Sequence, residues 1–223
     1  MNRKNLRSLA AGVALLLAVG ALAGCGGEKK ADDSKKMVTV GIAQLVEHGA
    51  LDAANKGFVA GMASKGFKEN ENVKYDRQNA QADQSNLQNI AQRFVSNKVD
   101  LICAIATPTA QTMANATKDI PIVATAVTDY EVAKLAASNN EPKGNVTGTS
   151  DMNPIDQQLE LLLKIAPQTK NIGTVYSSSE VNSQLQVDVL KKLAGDKGIN
   201  VIEATVSTCL LYTSPSPRDA HES

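Results

Sequence analysis

The chain has 223 residues, and its 23 Lys and Arg balance 23 Asp and Glu to a formal net charge of zero. No basic stripe interleaved with aromatics interrupts that balance, so the electrostatic footprint of a nucleic-acid binder is absent. Trp does not occur and aromatics make up 3% of the sequence, which leaves Ala, Val and Ile to fill a core and suits helices packed closely on a sheet.

Arg3, Lys4 and Arg7 precede an apolar run from Leu9 to Leu22 that ends in Leu22-Ala23-Gly24-Cys25. A positive n-region, an apolar run too short for a hydrocarbon core of roughly 30 Å, and small residues before a cysteine are the parts of a lipoprotein export signal. Residues 1–24 are therefore expected to be removed. Cys25 would then carry a diacylglyceryl thioether and an added acyl chain, enough for firm membrane anchoring in the cell envelope. Residues 25–36, rich in Gly, Lys, Asp and Ser, read as the lipidated tether.

The soluble part alternates short apolar runs with longer helical patterns, the mark of βαβ units and parallel sheets. Strands are expected at Val38–Ile42, Val73–Asn79, Asp100–Ile105 and Pro121–Val127. Between them lie a helix over Leu51–Ser64, one capped by Asp83 with Leu87, Ile90, Ala91, Phe94 and Val95 at helical spacing, and one opened by Thr107-Pro108. The polar turn 139–144 reads as a boundary, giving a first α/β lobe over 37–141 and the start of a second over 142–208. In that second part strands are expected at Val146–Thr149, Ile172–Tyr176 and Asn200–Val206, with helices over Ile155–Ile165 and Glu180–Ala194. Cys209–Asp219, CLLYTSPSPRD, breaks every earlier pattern and reads as a translated transposon-end sequencing adaptor. Residues 209–223 are thus expected to be non-native and the second lobe incomplete.

Cys103, alone in the apolar run Leu101–Ile105, reads as a small core residue. With Cys25 assigned to lipid and Cys209 to the tail, no disulfide framework or thiolate metal site is left to build.

In doubly wound sheets ligands bind outside the carboxyl ends of the strands. The segments there are polar in both halves: Gln44 to Asp52, Ala106 to Gln111, Thr128-Asp129-Tyr130, Ser150-Asp151 and Ser177 to Ser183. Hydroxyls and N–H groups at helix N-termini suit a carboxylate, and Glu47, Asp129 and Asp151 offer counter-charge to an ammonium. Each also has a local reading: Ser179, Thr107 and Asp83 as N-caps, His48 as an exposed or hydrogen-bonded imidazole, Asp129 and Asp151 as turn residues. Five such segments at one sheet edge favour a cleft site.

The motifs GIAQLVEHGALD, NAQADQ, IATPTAQ, AVTD, NVTGTSD and YSSSEVNS, in this order, resemble the substrate-binding lipoproteins of ABC importers in the tryptophan/tyrosine-binding group. The resemblance implies a type I periplasmic-binding fold of two Rossmann-like α/β lobes with parallel sheets, closing on a small ligand. It puts Gln44, Glu47, His48 and Asp52 on the first-lobe rim, and Ala106, Thr107, Pro108 and Thr109 at the ligand carboxylate. Thr128 and Asp129 fall at the cleft base, and Asp151 in the second lobe is a further ligand-binding candidate. From the second lobe it brings Tyr176, Ser177, Ser178, Ser179, Asn182 and Ser183. Gly49 and Tyr130 depart from the family, which usually has Pro at both positions. The implied partners are a small molecule such as an aromatic amino acid, ABC permease subunits, and the membrane through the lipid. No cofactor or metal is implied. An enzyme on the same scaffold lacks its parts, since no Gly-x-Gly-x-x-Gly, P-loop or Gly-x-Ser-x-Gly is present and His48 is the one histidine outside the tail. A sensory binding protein that presents its ligand to a membrane receptor shares the fold and stands as the alternative.

Overall fold

The computed structural model describes residues 37–141 and 144–206; the export signal, Cys25, the tether and the adaptor-like tail lie outside them. Five parallel strands alternate with helices: β1 (Val38–Gln44), α1 (Gly49–Ser64), β2 (Val73–Asn79), α2 (Gln84–Ser96), β3 (Leu101–Ile105), α3 (Thr107–Ala116), β4 (Ile122–Val127) and β5 (Val146–Ser150). Their order in the sheet is β2-β1-β3-β4-β5. β3 sits in the middle, which is why its sequence LICAI is apolar on both faces.

The two faces of this sheet carry separate cores. On one, Leu87, Ile90, Ala91 and Phe94 of α2 join Ala110, Met113 and Ala114 of α3 over Ala43, Ile102, Ala104 and Ile122. On the other, Leu51, Ala54, Phe58 and Met62 of α1 lie against Val40, Ile42, Val73, Tyr75, Cys103 and Ile105. Burial pushes the Cys103 thiol up to about 12 and leaves it an inert core group. Gly41 in β1 has a packing reason to be glycine, because a Cβ there would stand 2.8 Å from the Phe94 ring.

The next elements, α4 (Ile155–Ile165), β6 (Asn171–Ser177), α5 (Val181–Gly195) and β7 (Asn200–Val206), form a second, two-stranded parallel sheet with both helices on one face. Leu159, Ala194 and Ile199 are its buried centre, supported by Leu163, Ile172, Leu190 and Val201. On the opposite face Val175 and Ile202 are each 56% exposed.

The strand near residue 146 departs from the sequence expectation. The hydrophobic pattern starts a second lobe there; the structure pairs β5 with β4 and makes it the edge of the first sheet. The turn 139–144 therefore does not separate the sheets, and the chain leaves the first one after Ser150. Gly148 enables this pairing, since a Cβ at that position would overlap the Ala124 carbonyl oxygen and the Tyr130 hydroxyl. A register shift between Ala124 and Val127, with Ala126 at φ 55°, bends β4 beside it. Tyr130 reaches into this corner, where its hydroxyl donates to the Ala124 carbonyl at 3.0 Å, with the Thr149 carbonyl at 3.2 Å.

Candidate functional site: a cleft at the strand ends

A cleft of about 750 Å³ opens between the carboxyl ends of the two sheets. The five-stranded half contributes Leu45 after β1, Ala82, Asp83, Gln84 and Leu87 from the turn into α2, and Pro108 in the first turn of α3. The two-stranded half contributes Val175, Tyr176 and Ser177 from β6, Ser179 and Glu180 from the following turn, Ser183 from α5, and Val206 at the end of β7. Three helix N-termini thus meet the cleft, and its lining alternates apolar side chains with hydroxyls and two carboxylates. The volume lies within the range usual for small-ligand sites.

The start of α3 is the least ordinary part. Ala106, its N-cap, has φ 89° and ψ 152°, a conformation nearly reserved for glycine. The first intrahelical bond runs from the Ala110 N–H to the Ala106 carbonyl, so the N–H groups of Thr107 and Thr109 precede any intrahelical acceptor. The side chains of Thr107, 2% exposed, and Thr109, fully buried, make no hydrogen bond to any described residue. Buried hydroxyls are normally paired. Two orphaned ones at a helix N-terminus, beside N–H groups without an intrahelical acceptor and the positive end of the helix dipole, are chemistry that suits an anion.

Other expected residues have local partners. Gln44, 4% exposed, donates from Nε2 to Asp52 Oδ1 at 2.6 Å and to the Val46 carbonyl at 2.9 Å, and accepts from Asn55 Nδ2 at 3.3 Å. This network fastens the β1–α1 loop to its helix. His48 is the N-cap of α1, its Nδ1 accepting the Ala50 N–H at 3.3 Å, and Glu47 is exposed beside it. The Asp129 carboxylate accepts the Val132 N–H and Asn139 Nδ2, both at 2.8 Å, and so organises its own loop. Thr128 is buried, with its carbonyl accepting from Ser150 Oγ, and Asp151 donates its N–H to the Val127 carbonyl.

In the second half the Tyr176 hydroxyl lies 2.8 Å from Glu203 Oε2 and 3.0 Å from Gln184 Oε1, which directs it toward α5 and β7. The Glu203 bond raises the Tyr176 pKa, while Lys191 and Tyr176 hold the Glu203 carboxyl below its ordinary value. Ser177 and Ser179 hydroxyls stand 2.9 Å apart at the cleft wall. Ser178 is exposed and donates its N–H to the Val206 carbonyl.

A family model for ABC transporter substrate binding proteins matches residues 39–210. The chain belongs to this family. A tyrosine-binding protein of Clostridioides difficile (strain R20291) is 48% identical over 215 residues, covering 93% of this chain and 61% of that protein. Among solved structures, an ABC domain from Streptococcus pneumonia in complex with L-Trp superposes with a TM-score of 0.74 at 42% identity, over 77% of this chain and 58% of that one. A ligand-free, open substrate-binding protein with adhesive properties from Clostridium difficile gives 0.62 at 50% identity over the same shares. The chain spans about three fifths of the length of these relatives. A leucine binding protein from Thermotoga maritima, 12% identical with a TM-score of 0.58, shares the fold alone. The architecture is that of the type I periplasmic-binding proteins, with the second lobe incomplete.

Of the residues that the family pattern suggested, Pro108, Tyr176, Ser177, Ser179 and Ser183 line the cleft, with Ala106, Thr107 and Thr109 adjoining Pro108 in the chain. Those three are not themselves among its lining residues, and neither are Gln44, Glu47, His48, Asp52, Thr128, Asp129, Asp151, Ser178 and Asn182. The pattern did not single out Leu45, Ala82, Asp83, Gln84, Leu87, Val175, Glu180 or Val206. A signal for several of them lay in the quoted motifs themselves, NAQADQ for 82–84, where Asp83 read as an N-cap, and YSSSEVNS for Glu180.

Proposed function

We propose that this chain is a solute-binding receptor, held at an extracytoplasmic membrane surface by lipid on Cys25, that delivers an aromatic amino acid to the permease of an ABC importer. The orphaned Thr107 and Thr109 hydroxyls at the head of α3 carry this reading. They supply two donors for a carboxylate that the unliganded chain leaves unmatched, next to free helix N–H groups. Leu45, Leu87, Val175, Val206 and the Pro108 ring supply apolar surface for an aromatic side chain. The ligands printed for the relatives, tyrosine for one and L-Trp for another, support the same class.

Nothing in this role requires bond chemistry. A ligand touching both halves stabilises their approach, and a permease that recognises the closed arrangement receives loaded receptors only. Calorimetry and thermal shift with L-tryptophan, L-tyrosine, L-leucine and L-glutamate test the reading. Saturable binding with a rise in melting temperature is expected for one or both aromatic amino acids. Absence of stabilisation by either, or preference for leucine or glutamate, would overturn it.

A further inference from the structure

We propose that Glu180 is the residue that selects for an amino group on the ligand; this rests on the reading of the cleft as an amino-acid site. Two charged residues line the cleft, Asp83 from one half and Glu180 from the other, and no Lys, Arg or His is among the lining residues. The cleft therefore offers negative charge with no built-in cation. A ligand that brings its own positive charge answers this, and a plain carboxylic acid does not.

The two carboxylates are not equivalent. Both residues are helix N-caps. Asp83 Oδ1 accepts the Asn86 N–H at 2.7 Å and closes the start of α2. Glu180 makes no such bond to α5, and the one side-chain donor that reaches it among the described residues is Asn182 Nδ2 at 3.5 Å. That distance is at the limit of a hydrogen bond. The Asn182 Oδ1 atom beside it is buried without any hydrogen-bond partner. A carboxylate lacking its cap and an orphaned carbonyl oxygen thus stand within the first turn of one helix. An ammonium group carries three donors, and of these two groups the Glu180 carboxylate is the one in the cleft lining to accept them.

The other acidic candidates are engaged or placed elsewhere. Both Asp129 oxygens serve their own loop, Asp52 holds Gln44, and Glu47 and Asp151 are not in the lining. Glu180 also faces the cleft from the half opposite the α3 N-terminus. A zwitterion with its carboxylate at Thr107 and Thr109 and its ammonium at Glu180 would join the two sheets through its own backbone atoms. Recognition of the amino group and closure of the cleft then become one event, so a des-amino analogue would occupy only one side.

The test is calorimetry with L-tryptophan and L-tyrosine, each beside its des-amino analogue, indole-3-propionate or 3-(4-hydroxyphenyl)propionate, on the wild type, Glu180→Gln and Glu180→Asp. Loss of one partner of a hydrogen-bonded charge pair predicts that Glu180→Gln weakens amino-acid binding by about 30-fold or more. The des-amino acids should bind the variant and the wild type alike, and Glu180→Asp should recover part of the loss. Melting curves of the unliganded proteins verify that all three fold equally. Equal weakening of amino acid and analogue, or no weakening of either, would overturn the assignment. A wild type that binds neither class refutes the functional reading and this inference with it, whereas one that binds both classes equally leaves the functional reading standing and removes Glu180.

Discussion

Replacing Thr109 by Val tests whether the head of α3 is built for a ligand or for the fold. Valine keeps the β-branched shape and removes only the hydroxyl. Thr109 is fully buried and its hydroxyl has no hydrogen-bond partner among the described residues. An unsatisfied buried polar group destabilises by about 1 to 3 kcal/mol, so its removal should stabilise the unliganded protein by about 1 kcal/mol or more. Under the proposed function the same change also deletes a donor to the ligand carboxylate. Hydrogen bonds to charged groups contribute about 1.5 to 3 kcal/mol, which corresponds to roughly 10- to 150-fold weaker binding. Thr107→Val should move both quantities in the same directions. The assay pairs urea unfolding without ligand with calorimetry against L-tryptophan. Stability and affinity are predicted to move oppositely, a signature that a packing role cannot give. Lower unliganded stability together with unchanged affinity would refute the reasoning, because the hydroxyl would then be serving the fold.

Gly148→Ala should destabilise by about 3 kcal/mol, at the upper end of overpacking costs, because its Cβ meets the Ala124 carbonyl as well as the Tyr130 hydroxyl. Adding Tyr130→Phe should not rescue it, since the backbone clash remains; recovery of wild-type stability in that double variant would count against the account. For Asp76, burial raises the carboxyl pKa but hydrogen bonds from Arg93 and Gln78 outweigh it, so the net value is lowered. Its contribution is present above an unfolded pKa of about 3.9 and is lost as pH falls through the lower folded value. The stability difference between wild type and Asp76→Asn should therefore shrink below about pH 4, and a difference that stays constant to lower pH would contradict the sign. Cys25→Ser should abolish acylation and leave the precursor uncleaved or abnormally processed; mass spectrometry finding the same acylated N-terminus would exclude Cys25 as the lipid site.

What the sequence made legible follows from which interactions are local. Strand β3 and helix α2 could be read from periodicity, because the continuous run LICAI requires cover on both faces and Leu87, Ile90, Ala91 and Phe94 recur on one helical face. The partner of a strand is a different kind of fact. β5 has the same pattern whether it opens a second sheet or completes the first, and the deciding contact, Gly148 against Ala124 and Tyr130, joins segments that the polar turn keeps apart in the chain. The site divides in the same way. Polar residues after each strand were visible as a set, but hydrogen bonding sorts them, since Gln44, Asp52 and Asp129 bond to local partners while the Thr107 and Thr109 hydroxyls have none and Glu180 has only the long contact from Asn182. Asp83, read as an N-cap from the sequence, bonds its helix, whereas the N-cap of α5 is Glu180 rather than the expected Ser179 and makes no such bond. Which polar residues the fold uses for itself is decided by contacts between segments distant in the chain, and that difference exists only once the chain is folded.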